Sequence, residues 1–207
     1  MAVDINDDNS LNEKAVNFWE KNKKYIVLGG ILIVAIYLSS NFYFASQQKS
    51  YFLASEIYQK IQIEFDSGDI KPYVTELKTE YSNTPYAGRA SLILAQSYSK
   101  NNKIDDAFVE LDWAINNSLE HSIKSLALYT KAKLYLLQND LDMAEKSANS
   151  ISSQGFEGLK NIVLGDIYFS RKIYDKALEF YQLAFNFYIN KNDLSKVIKT
   201  KIDAIGS

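Results

Sequence analysis

The chain has 207 residues and a mass of 23.6 kDa, enough for one ordinary domain with a short appendage or two very small domains. Hydrophobic residues make up 47% and charged residues 23%, which places it among folded chains, and a net charge of −2 lacks the basic excess that phosphate neutralisation demands, arguing against nucleic acid. Cysteine is absent, which removes disulfides, thiolate nucleophiles, cysteine-ligated metal centres and a lipid anchor on an N-terminal Cys.

The first 24 residues form an arm. Asp4, Asp7 and Asp8 make its start acidic, and Ser10 followed three residues later by Glu13 is a capping-box pattern. It predicts a helix opening there and running through Ala15, Val16, Phe18 and Trp19. Tyr25 to Phe44 then holds 20 residues with no charge. A helix of that length spans about 30 Å, the thickness of a bilayer's hydrocarbon core. Lys21, Lys23 and Lys24 bound it on one side and Lys49 on the other, with aromatic residues at both ends. Acids precede it, and bulky Asn41, Phe42, Tyr43 and Phe44 fill its exit so that no small-x-small cleavage site follows; it reads as an uncleaved transmembrane signal anchor. Four lysines before the span against Lys49 and Lys60 after it predict a cytoplasmic N-terminus and residues 45–207 across the membrane. In a bacterium that compartment is the periplasm. Ala35 and Ser39 form one small-xxx-small pair that could pack another membrane helix.

Beyond the span, Tyr51, Ala54, Tyr58, Ile61 and Phe65 recur at helical spacing, and nothing between Ile31 and Ser67 breaks a helix. Gly68 ends it. Ile70 to Tyr81 predicts a second helix with Pro72 in its first turn. Three segments then repeat one another: Gly88 to Ser118, Ser125 to Ile151, and Gly158 to Ile189. Tyr98, Tyr135 and Tyr168 are 37 and 33 residues apart, and Ala107, Ala144 and Ala177 each follow nine residues later. This resembles the tetratricopeptide repeat (TPR), a pair of antiparallel helices per unit. Small residues at Ala95, Ala132 and Gly165 and at the three later alanines let paired backbones approach. After Asn190, Asp193 reads as a cap, and Leu194, Val197, Ile198, Ile202 and Ile205 predict a C-terminal capping helix. The fold class is therefore all-α: an N-terminal transmembrane helix followed by a TPR-like solenoid.

No catalytic constellation appears. His121, the one histidine, falls in an inter-repeat loop without a partner, and no metal site or cofactor is implied. Asp105, Asp106, Asp140 and Asp142 sit where second helices begin, where capping and the helix dipole account for them. TPR arrays bind polypeptide along the face made by first helices. By repeat phase that face presents Arg89, Leu92, Gln96, Leu126, Tyr129, Lys133, Leu136, Leu159, Ile162, Asp166 and Phe169. Seven of these eleven are apolar or aromatic, which suits an extended or unfolded chain. The bland alternative is that another helix of the chain already covers them. Leu92, Gln96 and Thr130 stand where a carboxylate clamp wants Lys and Asn, so a C-terminal carboxylate ligand is disfavoured.

The whole layout resembles a known family. Ala15-Val16, Phe18-Trp19 and Asn22 before the span, and Thr84, Tyr86-Ala87, Ala90, Leu92 and Leu94-Ala95 in the first repeat, are similar to the YfgM-type ancillary subunits of the SecYEG translocon. The resemblance implies a non-enzymatic inner-membrane protein that works beside the translocon and the PpiD-type periplasmic chaperone, receiving or handing on secretory proteins. The alternative is an N-anchored TPR receptor with its soluble domain in the cytosol, which predicts the opposite topology. An enzyme is the remaining reading, and no nucleophile–base pair or metal set supports it.

Overall fold

The computed structural model describes residues 5–66, 68–189 and 192–206, with side chains from Asn12 onward in those ranges except that of Asn192. Every regular element among them is helical. The chain divides into two compact units, residues 1–49 and 50–207. Helix α1 (Ile5–Glu64) runs through the uncharged segment, Gly29 and Gly30 included, and continues to Glu64, as the absence of Gly and Pro after Ile31 predicts. Among the described residues of the first unit it is the one element, and none of its apolar window is buried by protein. Tyr25, Ile33 and Phe42 are each at least 70% exposed. Rings and aliphatic chains so placed favour a nonaqueous surround, and among the described residues one helix is long and apolar enough to cross a membrane.

The arm departs from expectation. The backbone is helical from Ile5, so α1 does not open at Ser10. A capping serine needs an extended backbone, and here the preceding residues already continue the helix. Asp4 and the side chains of Asp7, Asp8 and Ser10 lie outside the described residues.

The second unit begins with the last turns of α1 and continues through α2 (Lys71–Glu80), α3 (Pro85–Lys100), α4 (Ile104–Asn117), α5 (His121–Leu137), α6 (Leu141–Asn149), α7 (Glu157–Ser170), α8 (Tyr174–Tyr188) and α9 (Asn192–Gly206). Pro72 and Pro85 stand in the first turns of α2 and α3, where a missing N–H breaks no helical bond. The three repeats fold as the pairs α3–α4, α5–α6 and α7–α8, and each second helix meets the next first helix. The six small positions are all buried: Ala95, Ala132 and Gly165 on first helices, Ala107, Ala144 and Ala177 on second helices. The core is a series of four clusters, as expected where each unit contacts its neighbours. The repeat tyrosines join them. Tyr98 packs on both the first and second clusters. Tyr135 stacks on Phe108 of the preceding pair at 4.4 Å. The Tyr168 hydroxyl donates to Glu145 Oε1 of the preceding pair at 2.6 Å.

Each pair turns in the same way. Asn102, Asn139 and Lys172, at matching phase, adopt the left-handed region with φ near 60°. The amides that follow donate back to the carbonyls of Tyr98, Tyr135 and Tyr168 at 2.8–2.9 Å, closing each first helix in a Schellman motif. The Asp140 carboxylate then caps α6 by accepting from the Met143 amide at 3.1 Å, and Asp105 and Asp106 lie in the first turn of α4. Two expectations shift by a residue or two. His121 is the first residue of α5, not a loop residue, because Glu120 before it is already extended. Asp193 lies inside the first turn of α9 rather than at its cap, and Asn190 is outside the described residues. In α9, Ile198 joins the fourth core cluster, which includes Tyr181 and Tyr188, and Ile202 and Ile205 pack against it, while Leu194 and Val197 stay exposed.

Candidate functional site

The eleven strip residues sit on α3, α5 and α7, first helices that touch in sequence order, α3 with α5 and α5 with α7. None of the eleven is fully buried. Four of them, Arg89, Leu92, Gln96 and Leu126, line a cleft of about 490 Å3 with Tyr58 of α1, Ile93 and Ile123. Three more, Leu136, Asp166 and Phe169, line a second cleft of about 270 Å3 with Tyr181, Lys201 and Ala204. Tyr129 and Ile162 pack against the core clusters beneath them, and Leu159 is half-buried. Lys133 is exposed, its ammonium 5.6 Å from the Tyr129 ring centroid, a cation–π distance.

Two charged members of the strip are engaged within the chain. The Arg89 guanidinium donates through Nε and Nη2 to both oxygens of Glu120, each at 2.7 Å. Such a bidentate pair fixes the side chain along the cleft wall. Asp166 Oδ1 accepts from the Tyr181 hydroxyl and from Lys201 Nζ, both at 2.6 Å. Burial and that carboxylate push the Tyr181 hydroxyl far above the ordinary phenol range, so it remains a donor at any physiological pH. Burial also lifts Tyr129 and Tyr58.

The strip is therefore bordered, not capped. Tyr58 borders the first cleft and α9 borders the second through Lys201 and Ala204. Tyr58, Ile93, Ile123, Lys201 and Ala204 were not on the sequence-derived strip. Tyr58 carries a legible signal, since it lies on the helical stripe of α1. Lys201 has none, because its partner is 35 residues away. Chemically the surface offers apolar clefts, fixed ion pairs and a strip cation, Lys133, that meets a ring face and, among the described residues, no carboxylate. Among the described residues no three His, Asp or Glu side chains converge. In the first unit Ala35 and Ser39 are exposed on α1.

A family model described as tetratricopeptide repeat-like domain matches residues 16–207. The chain is 24% identical over 166 residues to the ancillary SecYEG translocon subunit of Escherichia coli (strain K12), covering 79% of this chain and 80% of that one. It is 23% identical over 192 residues to the ancillary SecYEG translocon subunit of Neisseria gonorrhoeae (strain ATCC 700825 / FA 1090), covering 91% and 92%. A third relative, from Buchnera aphidicola subsp. Schizaphis graminum (strain Sg), carries the same description and is 24% identical over 153 residues, covering 72% and 75%. No solved structure matches the chain.

Proposed function

Since the chain belongs to the tetratricopeptide repeat-like domain family, we propose that it is a non-enzymatic accessory subunit of the SecYEG translocon in the bacterial inner membrane. Residues 25–44 anchor it, residues 1–24 face the cytoplasm, and residues 45–207 form a periplasmic domain. The strip on α3, α5 and α7 binds a PpiD-type chaperone, emerging secretory proteins, or both. Ala35 and Ser39 offer α1 a small-residue face for another membrane helix.

One observation carries this reading. The family match over residues 16–207 takes in both the uncharged helical segment and the repeats, and relatives described as ancillary translocon subunits align over most of the chain. The lysine asymmetry about the span supports the orientation. Tethering supports a weak-binding strip, because an anchor raises the local concentration of whatever leaves the channel. No group of side chains on the strip pairs a nucleophile with a base, which supports a binding role. The test is co-purification of the full chain in mild detergent. SecY or its partner subunits should be retained at stoichiometry well above unrelated inner-membrane proteins, and their absence from the eluate contradicts the proposal.

A further inference from the structure

We propose that the strip selects an extended polypeptide segment bearing an acidic side chain between two apolar anchors, with Lys133 taking the carboxylate. This deepens the partner-binding reading and rests on it.

The argument begins with charge. Of the three charged strip residues, Arg89 is paired with Glu120 and Asp166 with Lys201 and Tyr181. Lys133 differs: its ammonium rests against the Tyr129 ring face, and among the described residues no carboxylate forms an ion pair with it. A ring face orients an ammonium without neutralising it, so the cation stays available. Its place is central. α5 lies between α3 and α7, and an apolar cleft opens on each side. Toward α3 the apolar walls are Leu92, Ile93, Ile123 and Leu126. Toward α7 they are Leu136 and Phe169, the latter 42% exposed.

Spacing gives the register. Packed helices lie about 8–10 Å apart, and Leu126 and Leu136, which line the two clefts, stand ten residues apart on α5, about 15 Å along its axis, so the clefts are about 15–20 Å apart. An extended chain rises about 3.3 Å per residue, so about five or six residues separate the anchors. A residue between the anchors crosses α5 near Lys133, which stands on that helix between Leu126 and Leu136. An acidic residue there forms a charge-assisted hydrogen bond next to apolar walls that thin the water. A basic residue there meets a like charge, and an uncharged one leaves Lys133 partly desolvated without a partner.

The test uses the full chain in detergent micelles and a fluorescein-labelled synthetic peptide of about twelve residues, in a Ser/Asn background. The peptide carries two leucines, a central Glu and a Phe at the derived spacing. Anisotropy titrations compare it with peptides having Gln or Lys at the centre. The expected result is about tenfold weaker binding for Gln and a larger loss for Lys, since one charge-assisted bond is worth about that factor. Lys133→Glu in the protein should invert the preference, with the Lys peptide binding best. Equal binding of the three peptides to the unaltered chain overturns the inference, with no variant to fold. If those equal affinities all fall with Leu126→Asp, the strip reading survives and only the acidic preference is lost. Absence of binding by every peptide overturns both. A full chain that dimerises in detergent and becomes monomeric with Lys133→Glu would assign the strip to a second copy, which also overturns it.

Discussion

Gly165 meets the ring of Tyr181 so closely that a Cβ built on it would overlap the ring carbons. Both residues are buried between α7 and α8, with no flexible end to yield. Gly165→Ala should therefore cost about 1–3 kcal/mol by overpacking, read as a lowered midpoint in chemical unfolding. The opposite sign is expected at Lys172. Its left-handed backbone burdens a side chain that gains nothing from it, and the equivalent turns use Asn. Lys172→Gly should stabilise by about 1 kcal/mol in the same assay. Glu145 adds a pH dependence. The Tyr168 hydroxyl and the Arg171 guanidinium hold its carboxyl below the ordinary value of 4.5. Its stabilising contribution is complete above that unfolded-state value and is lost as pH falls through the depressed native one. Glu145→Gln should lower stability at pH 7, and the difference from the unaltered chain should close on acidification below about pH 4.5.

At the scale of elements, polar nodes lock helices that apolar packing alone would let slide. Lys78 of α2 reaches both oxygens of Glu110 of α4 at 2.9 Å, and Ser91 of α3 donates to the same carboxylate at 2.6 Å. Glu110 is 8% exposed, so removing its cation strands a nearly buried charge. Lys78→Met should cost about 3 kcal/mol, and adding Glu110→Leu should recover part of that loss, a coupling measurable in a double-mutant cycle. Such nodes explain what the sequence hid. The small residues and tyrosines of the repeats were legible because close backbone approach imposes the same residue at the same phase in every unit. The ion pairs of Arg89 with Glu120 and Asp166 with Lys201 were not, since they join residues 31 and 35 positions apart that only the superposed turns bring together. The left-handed turns also escaped notice, because Asn and Lys stand where glycine would have announced them. Ser10 misled for a local reason: its spacing to Glu13 matches a cap, but the helix had begun five residues earlier, at Ile5. Leu92, Leu126, Leu136 and Phe169, placed by phase alone, line the clefts, whereas Tyr129, Leu159 and Ile162 do not, and Ile93 and Ile123 lie there off phase.

For the molecule as a whole, an uncharged helical segment with no protein cover and a repeat unit with apolar clefts are what the proposed function joins as anchor and binding surface. An anchor of that kind would limit the search to one membrane, so the clefts would need only modest affinity. Leu126 lines the larger cleft, and a photo-crosslinking amino acid at that position reports directly on what the strip touches in living cells. The account predicts ultraviolet-dependent adducts with translocon subunits, a membrane-anchored periplasmic chaperone or secretory proteins in transit, absent when the probe is moved to exposed Val109 on α4. Adducts with cytosolic proteins alone, or equal labelling from both positions, would contradict it.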